Sequence, residues 1–174
     1  LIDFDLGKFV DDAQLGLASL DVNVEGKGFI SEYLNTEVIG EVYKFEFNGY
    51  SYQGLKVSGV LKEELFDGSL SSTDENFKFD FTGLADFGED SNKFNFIASV
   101  DYADLKRLNF INDSVSVFKG DLNMDIEGNT PDNVVGQLRF SNTTYQNKNE
   151  TYYFEDFAIS SSFDADTVRT IDIN

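Results

Sequence analysis

The chain has no cysteine and no histidine. Without cysteine there is no disulfide, no thiolate metal ligand and no thiol nucleophile, and the redox compartment cannot be read. Without histidine, Ser-His-Asp triads, Cys-His dyads and His-based zinc or iron sites all drop out. Tryptophan is absent, and Pro131 is the single proline. Basic residues are scarce: 13 Lys and Arg against 32 Asp and Glu leave a formal charge of −19. Such a chain does not track a phosphate backbone by counterion release, so nucleic acid is excluded as a partner. It does not hold anionic headgroups through a basic patch either. No apolar run approaches 18 residues, so no transmembrane helix is expected. The chain opens at Leu1 with no charged-then-apolar leader. It reads as a fragment of something longer, with targeting information outside it.

Aromatic residues are abundant: 18 Phe and 8 Tyr in 174 residues. Many aromatics with little proline favour strands. A hydrophobic fraction of 41% argues against disorder. The length suits one domain with a sizeable core, or part of a larger protein.

Alternation with period two dominates. Leu20, Val22 and Val24 alternate with Asp21, Asn23 and Glu25. Phe77, Phe79 and Phe81 alternate with Lys78, Asp80 and Thr82. Phe94, Phe96, Ala98, Val100 and Tyr102 share one side of a third run, and Leu122, Met124 and Ile126 one side of a fourth. Each run sets an apolar face against a polar one, as in an antiparallel sheet wet on one side. Asn48-Gly49 predicts a type I′ hairpin turn that pairs Phe47 with Tyr50 and Phe45 with Tyr52. Continuing that register puts Leu55 on the opposite face, unless a bulge at Gly54 returns Leu55 and Val57 to the aromatic side. Further turns are expected at Gly26–Gly28, Asp67-Gly68, Thr73–Asn76, Gly88–Asn92, Gly128–Asn133, Gln146–Asn149 and Asp164–Asp166. Helix is scarce. Asp104–Leu108 is the better candidate for a turn or two, and Asp5–Phe9 the weaker. The fold class is therefore all-β, with ten or eleven antiparallel strands.

The halves resemble each other. Leu20-x-Val22-x-Val24-Glu25-Gly26 matches Leu122-x-Met124-x-Ile126-Glu127-Gly128, and Phe4–Phe9 matches Tyr102–Leu108. Lys44-Phe45, Tyr52-Gln53, Leu55-x-Val57 and Phe66-Asp67 match Arg139-Phe140, Tyr145-Gln146, Phe157-x-Ile159 and Phe163-Asp164 in the same order. The reading is one repeat over residues 3–100 and a partial second over 101–174, in an extended protein.

Carboxylates are plentiful, but the adjacent pairs Asp11-Asp12, Glu63-Glu64, Glu89-Asp90 and Glu155-Asp156 point to opposite faces of a strand. Nothing marks a glycosidase pair. No Asp-x-Asp-x-Asp-Gly calcium loop occurs; Asp86, Glu89, Asp90 and Asn92 make at most a weak cation loop. Gly26-x-Gly28 precedes no helical pattern, so it is a turn and not a phosphate cradle. Neither a catalytic residue, a cofactor nor a metal is expected. The aromatic faces carry the functional weight. They form either a dry core between two walls or a groove that takes acyl chains, which need no specific hydrogen bonds.

Leu6-Gly7-Lys8-Phe9, Gly26-Lys27-Gly28-Phe29, Asn92-Lys93-Phe94, Val100-Asp101-Tyr102-Ala103-Asp104-Leu105, Met124-Asp125-Ile126-Glu127-Gly128 and Phe140–Gln146 together resemble the AsmA-like superfamily. Within it they resemble the TamB (translocation and assembly module) family of Gram-negative bacteria. The resemblance covers most of residues 1–174. It implies a long antiparallel sheet folded lengthwise like a taco, with an apolar concave face. It also implies a periplasm-spanning protein anchored in the inner membrane by a segment not present here. The implied work is outer-membrane biogenesis, either as a phospholipid conduit or as the partner of an outer-membrane barrel insertase. The implied partners are phospholipid, adjacent repeats of the same protein and that insertase. The family brings no catalytic residues. On this reading the groove is lined by Leu20, Val22, Val24, Tyr43, Phe45, Phe47, Phe77, Phe79, Phe81, Phe94, Phe96 and Val100 in the first part. In the second it is lined by Leu122, Met124, Ile126, Leu138, Phe140, Phe157, Ile159, Phe163, Ile171 and Ile173. The alternatives are an assembly scaffold acting through exposed strand edges, and a piece of an outer-membrane barrel.

Overall fold

The computed structural model describes residues 1–10, 13–27, 35–86, 88, 92–112, 115–130, 132–163 and 169–174. The strands are β1 (Phe4–Asp5), β2 (Leu15–Lys27), β3 (Asn35–Phe47), β4 (Tyr50–Lys62), β5 (Leu65–Thr73) and β6 (Phe77–Asp86). They continue as β7 (Lys93–Asp104), β8 (Ser116–Glu127), β9 (Val135–Asn147), β10 (Thr151–Phe163) and β11 (Arg169–Ile173). One short helix, α1 (Leu6–Val10), follows β1. All eleven strands form one open antiparallel sheet, and each pairs with its neighbours in sequence. The fold is the all-β antiparallel sheet that alternation predicts, elongated as the repeat and the resemblance imply.

The β3–β4 turn is the expected one. Asn48 and Gly49 sit at φ 50° and 72°, the positive values a type I′ turn needs. Asp67-Gly68 is not a turn. It lies inside β5, where Asp67 pairs with Leu84 and Gly68 with Gly83. The chain reverses instead near Glu63, at φ 52°. Gly68 serves close approach: a Cβ there would stand 2.4 Å from the Ser58 carbonyl oxygen of β4. The helical expectations change places. Of Asp5–Phe9, Asp5 ends β1 and the rest falls on α1, whereas Asp104–Leu108 makes a hydrogen-bonded turn, with the Leu108 amide donating to the Asp104 carbonyl at 3.0 Å. The turns expected at Gly28 and Asp164–Asp166, the pair Asp11-Asp12 and the residues Glu89 and Asp90 lie outside the described residues.

Side chains switch faces along a line that crosses the sheet. In β4, Tyr52 and Leu55 are both buried while Gln53 and Gly54 between them are exposed. Gly54 is at φ 62°, and a Cβ there would meet Thr73 Oγ1 at 2.5 Å, so glycine is required. The register from Phe47↔Tyr50 to Asn35↔Lys62 is nonetheless unbroken, because β3 switches at Tyr43–Lys44 opposite. The Gly54 irregularity thus returns Leu55 and Val57 to the aromatic side. Register shifts at Ser19/Leu20, Lys78/Phe79, Val100/Ala103 and Lys119/Asp121 extend the same line, and Asn142 (φ 49°) continues it into β9. Bulges bend strands, so an aligned series of them creases the whole sheet. Tyr102 sits at the crease and turns outward, under the Lys119 ammonium at 5.7 Å, while Ala103 goes in.

The core lies where the crease folds one rim inward. Tyr52, Leu55, Ala103 and Leu108 are its buried members, packed by Val42, Phe45, Phe47, Tyr50, Phe77, Phe79, Val100, Leu105 and Phe118. Leu108 is completely buried. It belongs to the β7–β8 connection, which doubles back beneath the strands. Two side-chain amides tie that connection to the β3–β4 turn. Asn48 Nδ2 donates to the Asn109 carbonyl at 3.1 Å, and Asn109 Nδ2 donates to the Asn48 carbonyl at 2.9 Å. Asn48→Gly and Asn109→Gly keep the positive φ of both positions and remove one bond each. Each is expected to cost about 1 kcal/mol in urea unfolding, with the double variant costing less than the sum, since both bonds hold the same two segments together. Strict additivity would mean that they do not.

Pairings recur one hundred positions apart. Val38↔Gly59, Gly40↔Val57 and Phe45↔Tyr52 in β3–β4 have the counterparts Leu138↔Ile159, Phe140↔Phe157 and Tyr145↔Tyr152 in β9–β10. Ser19↔Lys44 and Lys119↔Thr144 stand in the same relation, each beside a register shift.

Candidate functional site

Read across the strands, the inner face resolves into axial rows. One row is Val22, Gly40, Val57, Leu70, Phe81, Ala98, Leu122, Phe140 and Phe157, each paired with the next. Beside it run Val24, Val38, Gly59, Gly68, Gly83, Phe96, Met124, Leu138, Ile159 and Ile173. The third row is Gly26, Thr36, Leu61, Phe66, Ala85, Phe94, Ile126, Gly136, Ser161 and Ile171. None of these residues is charged. Ten strands at about 4.8 Å spacing span roughly 43 Å. That exceeds the ~30 Å hydrocarbon core of a bilayer, which holds two leaflets of tails. Ring contacts run along and between the rows: Phe140–Phe157 at 6.3 Å within the first, and Phe81–Phe96 at 4.8 Å and Phe66–Phe81 at 6.1 Å from one row to another.

This face is not sealed. Phe81, Phe96, Leu122, Met124, Leu138 and Phe140 are partly exposed. At the row ends exposure rises to 52% for Val24, 54% for Ile171 and 64% for Ile173. Among the described residues, the buried apolar ones are Ala18, Tyr52, Leu55, Ala85, Ala103 and Leu108.

Most of the lining residues expected from the sequence fall on these rows or beside them. Leu20, Phe79 and Val100 occupy a fourth, shorter row at the crease, with Val42, Leu55 and Ser72. Phe45, Phe47 and Phe77 join the Leu108 core instead of the open wall. Phe163 lies at the rim, 44% exposed. Tyr43 is a correction: it is 54% exposed on the outer face, because β3 switches sides there. Val38, Val42, Leu61, Phe66 and Leu70 line the wall but are missing from that list. Alternation through Val38 and Val42 was available to find the first two. The false turn at Asp67-Gly68 hid Phe66 and Leu70.

The outer face is polar. Its row through the middle is Asp21, Glu41, Lys56, Ser71, Asp80, Ser99, Asp121, Ser141 and Asp156. From β5 onward, acids alternate with serines. Ser99 Oγ donates to Asp121 at 2.7 Å and Asn142 Nδ2 donates to its other oxygen at 3.0 Å; together they hold the Asp121 carboxyl below its ordinary pKa.

Among the described residues, Asp74 is the one buried carboxylate, and it sits at the rim. Asp74 accepts from the Tyr50 hydroxyl at 2.6 Å and from the amides of Asn76 at 2.8 Å and Gln53 at 2.9 Å. The Tyr50 and Gln53 bonds join the β5–β6 turn to β4 and the Asn76 bond closes the turn itself, which is a structural role. Burial, with the Asp74 hydrogen bond, pushes the Tyr50 phenol up to about 12. Unfolded, it ionises near pH 10. The raised value adds stability that is fully present below pH 10 and disappears as pH climbs from about 10 to 12. Burial also raises the Tyr52 phenol, so absorbance titration is expected to show Tyr50 and Tyr52 lagging the other tyrosines, and Asp74→Asn to bring Tyr50 earlier. No group of three or more metal-ligating side chains converges among the described residues. No family model, curated protein or solved structure matches the chain.

Proposed function

We propose that the chain is a non-enzymatic segment that accommodates phospholipid acyl chains along its inner face. In this reading it belongs to a periplasmic protein, resembling the TamB family, that passes lipid toward the outer membrane. The supporting observation is the three uncharged rows, continuous across nine or ten strands and only partly covered. Alkyl chains need apolar contact and no hydrogen bonds, and rows at right angles to the strands offer that contact along the whole sheet. The acidic outer face keeps such a sheet dispersed in water. Native mass spectrometry of protein purified without detergent, with lipid extraction of the same sample, tests the reading. Phospholipid-sized adducts are expected. A clean mass from folded, monodisperse protein, together with no lipid in the extract, would defeat it.

A scaffold for outer-membrane protein assembly is the second reading, and one observation favours it. β11 pairs only with Ile159–Phe163, so among the described residues Thr151–Phe157 of β10 has no strand on its far side. A client strand could add there. Glu155→Pro would block that edge and leave the rows untouched, so lipid adducts that survive it while client crosslinking disappears would assign the edge its own role.

A further inference from the structure

The inner face differs at the two ends of its strands. Strands β4–β8 lie in the middle of the sheet, each paired on both sides. On them the distance from the third row to the crease is constant. Leu61 to Leu55 on β4, Ala85 to Phe79 on β6 and Phe94 to Val100 on β7 are each a run of six residues, about 20 Å at the rise of a strand.

The crease end of that run is closed. Leu55, Phe79 and Val100 belong to the cluster around Leu108, which is completely buried, and every member of the cluster is hydrophobic. A charged group pushed against it would lose its water and find no partner in the cluster. The opposite end is wet and charged. Lys62 pairs directly with Leu65, so only Glu63 and Glu64 connect β4 to β5, and a turn that short does not fold over the face. Lys62, Glu63 and Glu64 are exposed. On the next strands of the same lip, Asp86 pairs in register with Lys93, and Lys93 with Glu127. None of the ion pairs among the described residues uses Lys62 or Lys93. Both stand one residue beyond the third row, where a lysine stem reaches the edge of the sheet. The lip therefore offers unpaired cations with carboxylates between them.

We propose that a phospholipid on this face lies along the strands, with a zwitterionic headgroup at the lip marked by Lys62, Glu64, Lys93 and Glu127 and its tail ends toward Leu108. This rests on the acyl-chain reading above and adds the direction and the headgroup class. Lengths agree: one leaflet of tails is half of a ~30 Å hydrocarbon core, about 15 Å, which fits the ~20 Å between lip and crease. Charges agree too. The lysines suit the phosphate and the carboxylates suit the ammonium, whereas a net anionic headgroup meets the field of a chain at −19. Movement along the sheet then means sliding sideways from strand to strand, with the headgroup staying in water.

Tryptophan quenching tests this, since the chain has no tryptophan of its own. Phe66→Trp places one at the lip and Phe79→Trp one at the crease. Each delipidated variant is mixed with vesicles of phosphatidylcholine carrying a nitroxide either on the headgroup or at the tail end, and the vesicles are removed before reading. Leu61→Trp and Phe81→Trp replace a variant whose circular dichroism departs from that of the parent. The headgroup nitroxide is expected to dim the lip tryptophan more than the tail nitroxide does, and the order to reverse at the crease. The same order at both positions, or the opposite pattern, would overturn the orientation and leave the acyl-chain reading standing. No dimming of either tryptophan by either lipid would overturn both. Unlabelled phosphatidylcholine should restore the fluorescence at lower concentration than phosphatidylglycerol; equal potency would overturn the headgroup assignment.

Discussion

On the proposed acyl-chain reading, lysine at Phe96 and Leu138 is expected to abolish the phospholipid adducts while leaving the chain folded. The two residues flank Met124 in the middle row, two strands apart, so both ammonium groups would enter the same stretch of wall. The side chains there are partly exposed, and a lysine stem can lie along the sheet with its charge in water. The fold has that escape and an acyl chain does not. It loses two apolar contacts worth about 1.5–3 kcal/mol each when fully buried and must pack against charge. With contact only partial, a loss of about 2–3 kcal/mol, roughly thirty- to 140-fold in adduct abundance, is the expected result. Ile97→Lys is the control. It lies one residue from Phe96 on the same strand but faces outward at 59% exposure, so lipid should stay. Equal loss from both variants would mean that general charge, and not the row, governs binding.

The largest effect on stability is expected at Leu108. Its side chain is fully buried in a cluster of aromatic and aliphatic residues from both sides of the crease. Leu108→Ala leaves a cavity where little can collapse, since the surrounding rings are fixed by paired strands. The cost should be about 3 kcal/mol, or roughly 10 °C in Tm for a chain of this size. Leu108→Met should cost less than about 1.5 kcal/mol. Phe110, two residues on and 53% exposed, should tolerate alanine within about 0.5 kcal/mol. Calorimetry of the three variants separates a plug from an ordinary surface loop. If Leu108→Ala and Phe110→Ala melted together, the connection would not be anchoring the crease.

Period-two alternation carried the fold because each strand buries one face, and a one-residue error would expose every side chain. That constraint made Phe77–Phe81 and Leu122–Ile126 legible from the residues alone. It fails where the backbone inserts a residue. Tyr43 and Tyr102 both continue an alternating run in sequence, and both point outward because the crease resets the phase beside them. Gly54 announced its irregularity, since glycine in a strand marks a bulge, but the matching switch at Tyr43–Lys44 carries no such residue. Asp67-Gly68 failed for another reason. Glycine there answers a close approach between backbones and not a reversal, and composition does not distinguish the two. The plug was harder still. Asp104–Leu108 showed its helical period, but that Leu108 would be drawn under strands β4 and β6 is a long-range fact that no local pattern contains.

The two faces of the sheet also differ mechanically. Asp80, Asp121 and Asp156 stand on every second strand of the outer face, about 9.6 Å apart by strand spacing, while the rows beneath them carry no charge. Arg139 offsets Asp156 at 3.2 Å, so the repulsion rests on Asp80 and Asp121; repulsion on one side of a thin layer spreads that side and leaves the other alone, which favours bending toward the apolar face. At 0.15 M salt the screening length of about 8 Å leaves neighbouring acids weakly coupled; at 0.01 M, about 30 Å couples the whole row. Curvature of this sheet is therefore expected to depend partly on the solution around it, like a spring whose rest shape tightens toward the apolar face as salt is withdrawn.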